Sequence, residues 1–137
     1  MPLPKTPALT ADCVVVDARN RVLLVRRKHP PFKGQYALPG GFVDIGETVE
    51  DACWRELMEE TGVKVGKLQL LGVYSDPGRD PRGHICTVAF PARVRSSRAK
   101  AGDDAAAAEW VENWSKIDLA FDHAKILTDA DRALRKT

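Results

Sequence analysis

The stretch GFVDIGETVEDACWRELMEETGV, residues 41–63, decides the fold of this chain. Its second half predicts a helix that begins after Thr48, a good N-cap residue with Asp51 three positions later. Gly62 is placed to end this helix, because glycine readily takes the left-handed conformation found just past a helix C-terminus. The segment therefore predicts a loop that leads directly into a capped helix.

Three glutamates form one stripe of this helix. At about 100° per residue, Glu56, Glu59 and Glu60 lie beside an apolar stripe. The apolar stripe consists of Val49, Cys53 and Leu57. A solvated face with an Arg55–Glu59 ion pair is one interpretation, since like charges four residues apart cost only about 0.2–0.5 kcal/mol. The other is a site for a hard divalent cation, which removes the mutual repulsion of clustered carboxylates.

The preceding loop, LPGGFVDIGE at residues 38–47, favours the cation site. Gly40 and Gly41 allow the backbone to come close to a metal ion or a phosphate. Glu47 ends the loop at the start of the helix, where it either binds metal or holds Arg55. The acids are therefore predicted to face a glycine turn.

The spacing of these residues resembles a complete Nudix box. Gly41 is followed by five residues, Glu47, seven residues and then RELMEETGV at 55–63, with no departure at the defining positions. The resemblance implies an α/β (α+β) fold, an α/β/α sandwich around a mixed β-sheet. It also implies Mg²⁺- or Mn²⁺-dependent hydrolysis of a nucleoside diphosphate linked to another moiety.

The resemblance also assigns residue roles. The implied metal ligands are Glu56, Glu59, Glu60 and the carbonyl of Gly40, while Glu47 and Arg55 support the geometry of the helix and loop or the outer shell. The identity of the general base stays open. The candidates are Glu59 inside the box and Glu109, Asp103 and Asp104 outside it.

A second segment bears on the substrate. Residues 73–84, VYSDPGRDPRGH, have the composition of a rigid polar turn. They also contain Arg79, Arg82 and His84, which are suited to phosphate or ribose oxygens. Together with LAFDHAKIL at 119–127, the segment resembles the ADP-ribose pyrophosphatase branch of the family, especially its short prokaryotic members. This predicts hydrolysis of ADP-ribose to AMP and ribose 5-phosphate; the alternatives are oxidised nucleoside triphosphates, dinucleotides and nucleotide sugars.

Other binding candidates are less specific. Arg26 and Arg27 end a strand before the glycine loop, and alternation predicts that one points toward the diphosphate. The alternative is that both arginines are solvated at the strand end. Tyr36 and Phe32 are suited either to stacking on adenine or to covering the core. His123 is expected to cap the last helix or to pack beside it.

Composition bounds the class of protein. The 137 residues suit one domain, 1–137, with 44% hydrophobic and 29% charged residues. A net charge of +2 without a dense basic run gives no support for nucleic-acid binding, and no apolar run is long enough for a membrane span. Cys13, Cys53 and Cys86 lack zinc-ligand spacing and are expected to be buried thiols in a cytoplasmic protein.

A non-catalytic ADP-ribose sensor is the alternative from another class. Sensors related to this family carry an attached winged helix, which is not expected here because the sequence ends at Thr137. All box acids are also present, which favours an enzyme. By resemblance, a homodimer is expected.

The hydrophobic pattern predicts strands, a helix, further strands and a last helix. Strands are predicted over 12–17, 21–27, 68–74, 84–94 and 109–111, with a hairpin turn at 18–20 and loops at 75–83 and 96–108. Asp122 is the predicted cap of the last helix. This order is typical of a mixed sheet packed between helices.

Overall fold

The computed structural model describes residues 2–95 and 108–136. Its strands are β1 (Ala8–Val16), β2 (Val22–Arg26), β3 (Tyr36–Ala37), β4 (Gly40–Phe42), β5 (Gly72–Tyr74), β6 (Ile85–Arg93) and β7 (Ala108–Val111). Its helices are α1 (Val49–Thr61) and α2 (His123–Arg135), with a 3₁₀ turn at Trp114–Lys116. Within the described ranges, neither helix combines the length and apolar character needed to cross a membrane.

The strands form one mixed sheet, as the sequence predicts. Its main order is β3-β2-β1-β6-β5, with β4 paired to β1 and β7 paired to β2. The β1–β6 pair is parallel over the whole length of both strands, and the other pairs are antiparallel. The long β1–β6 pair therefore forms the centre of the sheet, and the shorter strands lie on either side of it.

The two helices cover opposite faces of the sheet, because alternate side chains of β1 point to opposite sides. Val14 and Val16 pack with Ile126 on the α2 face. Val15 packs with Leu57 on the α1 face. The predicted α/β/α sandwich is confirmed.

Helix α1 has the boundaries that its sequence predicts. The Thr48 hydroxyl accepts a hydrogen bond from the Asp51 amide, and Gly62 ends the helix with φ 71°. The apolar stripe is buried against the sheet, with Cys53 and Leu57 fully enclosed. The neighbouring stripe, which carries the glutamates, is thereby directed toward β4.

Several strand boundaries differ from the prediction. Strand β1 begins at Ala8, four residues before the predicted start, because its first half pairs with β4 and β6. Strand β5 covers only 72–74, since only this part of the segment pairs with β6. The glycine turn also contains a strand that the sequence does not predict, β4, in which Gly40 is paired with Asp12.

The cysteine prediction is wrong for two of the three residues. Cys13 of β1 and Cys53 of α1 are joined by a disulfide, whereas Cys86 is a free, half-buried thiol. The pair is 40 residues apart in the sequence. Only the packing of α1 on the sheet brings them together, so spacing along the chain gave no sign of it.

Candidate active site

Arg55 connects helix α1 to the loop at residues 38–47 that precedes it. Its Nε and Nη2 atoms donate to both carboxylate oxygens of Glu47, at 2.7 and 2.9 Å. Nη1 donates to Glu56 at 2.7 Å, and Nη2 also donates to the carbonyl of Phe42 at 3.0 Å. The Arg55 hydrogen bonds, followed by one from the Asp44 amide, lower the pKa of Glu47 to about 2. Glu47 holds Arg55 in this structure, and this contact is one of the two roles predicted for it.

Glu60 is the most deeply placed acid of the box. Its Oε1 atom accepts a hydrogen bond of 2.7 Å from the Gly40 amide. Burial raises the pKa of Glu60 to about 8, and the negative charges of Glu56 and Asp12 act in the same direction. A carboxyl group in this setting prefers to be neutral unless a positive charge comes close to it.

Glu56 and Glu59 are less deeply placed. Burial raises the pKa of Glu56, while the ion pair with Arg55 opposes that change. A Cβ atom on Gly41 would lie 2.6 Å from the Glu56 carboxylate, so a larger residue at this position would displace the carboxylate. The Glu59 side chain is 49% exposed and lies 3.4 Å from Arg55.

The chemistry of these donors fits a hard divalent cation. Carboxylate oxygens are the ligands that Mg²⁺ and Mn²⁺ prefer. The raised pKa of Glu60 reflects its burial and the negative charges of Glu56 and Asp12, and a nearby cation would offset both. Within the described part of the chain, no three His, Cys, Asp or Glu side chains converge on a point suited to a metal ion. Glu56 and Glu59 are instead directed at Arg55. The ligand set of Glu56, Glu59, Glu60 and Gly40 stays a prediction.

A pocket connects the box to distant parts of the chain. Its walls include Gly41 and Glu60 from the box, the adjacent Gly40, and four arginines from elsewhere. The arginines are Arg26, Arg27, Arg79 and Arg82. All four were candidates for substrate binding, and the structure places them around one cavity.

Arg82 and Arg27 lie at the same wall of this pocket. Two hydrogen bonds at 3.1 and 2.8 Å attach the Arg82 guanidinium to the buried carboxylate of Asp80. Arg27 donates from Nε to the Pro31 carbonyl at 2.6 Å. Both guanidinium groups lie against the ring of Phe121, with Arg27 at 4.8 Å and Arg82 at 5.4 Å from its centroid.

Arg79 is held by Asp122, which corrects the predicted role of that aspartate. The Asp122 carboxylate accepts from Nη2 and Nε of Arg79 at 2.6 and 2.8 Å, and it makes no side-chain cap of α2. A guanidinium satisfies a carboxylate better than a helix amide does, because the pair is charged on both sides. The Arg79 side chain is only 4% exposed, so its charge acts on the pocket although little of the guanidinium is accessible to a ligand.

Three other candidates, Tyr36, Glu109 and His84, do not line the pocket. Tyr36 donates from its hydroxyl to Glu109 at 2.5 Å, and Arg26 lies 4.2 Å from the Tyr36 centroid. His84 is exposed, with Nε2 at 2.9 Å from the carbonyl of Ser75. The remaining base candidates, Asp103 and Asp104, lie outside the described residues.

Asp12 and His123 are pocket residues whose place the sequence did not reveal. His123 accepts the Leu38 amide hydrogen at Nδ1, at 2.9 Å, and its Nε2 lies 3.8 Å from Asp12. Burial lowers the pKa of His123 despite the nearby aspartate. Thr87 donates to Asp12 at 2.6 Å. The available signal was the charge of Asp12 itself, in a strand that is otherwise apolar.

Comparisons with known proteins agree with this geometry. A family model described as the NUDIX domain matches residues 6–134. An ADP-ribose pyrophosphatase of Methanocaldococcus jannaschii is 50% identical over 123 residues, which are 90% of this chain and 72% of that protein.

Two further relatives are linked to ADP-ribose by name. The ADPR responsive transcriptional repressor NtrR of Acinetobacter baylyi is 32% identical over 133 residues, covering 91% of this chain and 53% of that protein. The structure of the NUDIX domain of Shewanella oneidensis NrtR complexed with ADP ribose matches with a TM-score of 0.90 at 30% identity. That match covers 95% of this chain and 90% of the other.

Proposed function

The chain belongs to the NUDIX domain family and is a Nudix hydrolase, and we propose that it hydrolyses ADP-ribose to AMP and ribose 5-phosphate. One observation carries the substrate assignment. The pocket joins the buried acid of the box, Glu60, to the guanidinium groups of Arg27 and Arg82. An acid that accommodates cations beside basic groups that bind phosphate oxygens is the arrangement that a diphosphate substrate requires.

The arginines have the binding role in this proposal. Arg27 and Arg82 bind the diphosphate oxygens, and Asp80 fixes the orientation of Arg82. Arg79 adds positive charge but stays paired with Asp122. Arg26 lines the pocket and stacks on the ring of Tyr36, and we propose that these two residues contact the nucleoside part of the substrate. His84 has the weakest support, since it lies outside the pocket lining.

Nudix ADP-ribose pyrophosphatases use divalent metal ions, and we propose Mg²⁺ or Mn²⁺ for this chain. Glu56, Glu59, Glu60 and the Gly40 carbonyl are the residues that would hold the cation. When bound, a divalent cation supplies positive charge that offsets the diphosphate oxygens and eases the deprotonation of water. The hydrogen bonds between Arg55 and Glu47 fix the position of the loop relative to α1, which carries three of these ligands.

The reaction needs a group that accepts a proton from the attacking water. We propose Glu59, because its carboxylate is 49% exposed and is weakly held at 3.4 Å from Arg55. Glu109 is less suitable, since its carboxylate accepts the Tyr36 hydroxyl outside the pocket. Attack of the water oxygen on phosphorus breaks the bond to the bridging oxygen, and the leaving phosphate carries the electron pair away.

The test is product formation from a panel of substrates with Mg²⁺ and with Mn²⁺. The panel contains ADP-ribose, NADH, a diadenosine polyphosphate, a nucleotide sugar and an oxidised dGTP, with Glu60→Gln as the background control. Release of AMP and ribose 5-phosphate from ADP-ribose, in preference to the other reactions, is the expected result. Preference for another panel member would keep the hydrolase and overturn the ADP-ribose assignment.

A sensor is the second candidate function, because two of the relatives are named for an ADP-ribose-responsive repressor or its ligand complex. A sensor binds ADP-ribose without consuming it. Calorimetric binding together with the absence of products from every panel member would establish this alternative.

We also propose that the protein is a cytoplasmic homodimer that binds neither nucleic acid nor membranes. The exposed side chains of Val73, on the edge strand β5, and Trp54 are compatible with contact between subunits. A cytoplasmic location predicts that Cys13 and Cys53, which are joined in the structure, are mainly reduced thiols in the cell. Light scattering measures the number of subunits, and thiol alkylation before cell lysis, followed by mass spectrometry, reports whether the disulfide exists in the cell.

A further inference from the structure

Phe121 has an unusual backbone conformation for a bulky residue. Its φ angle is 54°, in the left-handed region that large side chains rarely adopt. It lies two residues before the first residue of α2, and its ring makes an edge contact with Phe32 at 4.9 Å between centroids. Backbone strain of this kind persists only where the surroundings enforce it, and it is concentrated at functional sites.

The residues that follow Phe121 enforce this conformation. Asp122 is bound to Arg79 by two hydrogen bonds, and His123 accepts the amide hydrogen of Leu38. These contacts anchor the chain on both the 75–83 loop and the segment between β3 and β4. With the backbone fixed in this way, the Phe121 ring is directed into the pocket.

The ring of Phe121 is shared by two guanidinium groups. Arg27 lies 4.8 Å and Arg82 lies 5.4 Å from its centroid, and both distances are within cation–π range. Arg82 is also 5.4 Å from the ring of Phe42. The aromatic faces therefore keep two like charges at one wall of the pocket.

Among the described residues, Arg27 lacks a directly bound acid, although the charges of Asp80 and Glu60 act on it from a distance. Its hydrogen bond goes to the Pro31 carbonyl, and it forms no ion pair with an acid in residues 2–95 and 108–136. Burial lowers the pKa of Arg27, and the charge of Arg82 acts in the same direction, while the charges of Asp80 and Glu60 only partly oppose the change. An anion placed between these two groups relieves both effects.

We propose that Phe121 is a positioning residue that holds Arg27 and Arg82 together, so that both guanidinium groups bind the diphosphate of the substrate at once. The inference rests on the proposed function for the identity of the substrate. It goes beyond that function in assigning a binding role to an apolar residue outside the box. It also gives a reason for the strained backbone before α2.

The test compares Phe121→Leu, which keeps an apolar side chain but removes the aromatic face, with Phe121→Tyr, which keeps that face. Ile126→Val, a change in the core under α2, controls for general loss of stability. Two quantities are measured for each variant: kcat and KM for ADP-ribose with Mg²⁺, and the Kd of ADP by calorimetry without divalent metal.

Phe121→Leu is expected to raise both KM and the Kd of ADP by about three- to thirtyfold, the range of a lost cation–π contact. The expected change in kcat is smaller than about twofold, because the interaction is with the bound ligand before and during reaction. Phe121→Tyr and Ile126→Val should bind ADP as the unaltered chain does. If Phe121→Leu fails to fold, Phe121→Gly replaces it, since glycine adopts the required φ freely.

A double-mutant cycle with Arg82→Gln completes the test. If Phe121 acts through the arginines, the two changes together weaken ADP binding by less than the product of the single effects. Independent effects, unchanged ADP binding in both Phe121→Leu and Phe121→Gly, or no ADP binding by the unaltered chain would each overturn the inference. Binding of ADP without hydrolysis of any panel member would overturn the proposed function and leave this inference standing.

Discussion

Asp122 binds Arg79 with both carboxylate oxygens, at 2.6 and 2.8 Å, although it occupies the N-cap position of α2. The pair joins the 75–83 loop to the start of the last helix. Arg79 is almost completely buried, so its charge depends on this partner. The relationship gives Asp122 a role in tertiary structure that a helix cap does not have.

Replacing Asp122 with serine separates the two roles. Serine is a good N-cap but cannot form the ion pair with Arg79. We expect Asp122→Ser to lower the free energy of unfolding by roughly 3 kcal/mol, because it leaves a buried guanidinium without its partner. Urea unfolding followed by circular dichroism measures the change.

Asp131→Ala is the matched control for this experiment. It removes an ion pair between Asp131 and Arg135 that is exposed on the same helix. Its expected effect is below about 1 kcal/mol, as is usual for surface pairs. Near-native stability of Asp122→Ser would show that capping, and not the ion pair with Arg79, is the role of Asp122.

Gly41→Ala is predicted to disturb the metal-binding side of the pocket. The added Cβ would lie 2.6 Å from the Glu56 carboxylate, so the acid or the loop must move. Since displacements of about 1 Å at a catalytic site can reduce rates by about a hundredfold, we expect a loss of turnover of at least about tenfold. Initial rates across a Mg²⁺ titration measure the effect.

Gly66→Ala is the control for Gly41→Ala. A Cβ at Gly66 meets no atom within 4 Å, so turnover and its Mg²⁺ dependence should stay unchanged. If Gly41→Ala also retained normal turnover and normal Mg²⁺ dependence, the close fit between the loop and Glu56 would have no catalytic importance.

The sequence predicted the parts of the site that depend on local pattern. The cap at Thr48, the end of α1 at Gly62 and the stripe of glutamates all follow from spacing within one helix. The hydrogen bond from Arg55 to Glu47 joins residues only eight positions apart, and the sequence predicts this contact as one of two roles for Glu47. These features need no knowledge of which distant strands become neighbours.

The features of the site that the sequence did not predict depend on contacts between distant elements of the fold. Asp12 meets Thr87 only because β1 and β6 run parallel, and His123 reaches the Leu38 amide from the last helix. The disulfide between Cys13 and Cys53 has the same origin. No local periodicity records such pairings, so their discovery required the structure.

The stability of the metal-free protein is predicted to fall as pH rises toward 8. Burial raises the pKa of Glu60 from its ordinary value of 4.5 to about 8. The folded state therefore binds a proton more tightly than the unfolded state does. The resulting contribution to stability is complete below pH 4.5, decreases between 4.5 and 8, and is lost above 8.

Thermal unfolding in EDTA at pH values from 5 to 9 measures this dependence. Glu60→Gln cannot titrate, so its Tm should decline less over that range than the Tm of the unaltered chain. Adding Mg²⁺ should raise the Tm of the unaltered chain most at the alkaline end, where Glu60 is ionised. Identical pH profiles for the two proteins in EDTA would refute the raised pKa of Glu60.

Glu59→Gln is predicted to reduce turnover without reducing stability. The Glu59 side chain is 49% exposed and its contact with Arg55 is long, at 3.4 Å, so the free energy of unfolding should change by less than about 1 kcal/mol. If Glu59 accepts the proton of the attacking water, kcat should fall by about a hundredfold to ten-thousandfold. Single-turnover rates with ADP-ribose, measured beside urea unfolding, separate the two quantities.

Two further variants show whether a loss of turnover is specific to Glu59. Glu50→Gln changes an exposed acid in the first turn of α1 and should leave both quantities as they are. Glu109→Gln removes the partner of the Tyr36 hydroxyl, and we expect only a small effect on kcat because this pair lies outside the pocket lining. A large loss of kcat in Glu109→Gln, with normal kcat in Glu59→Gln, would identify Glu109 on β7 as the general base. In that case Tyr36 would hold the base in place, and Tyr36→Phe should alter the pH profile of kcat.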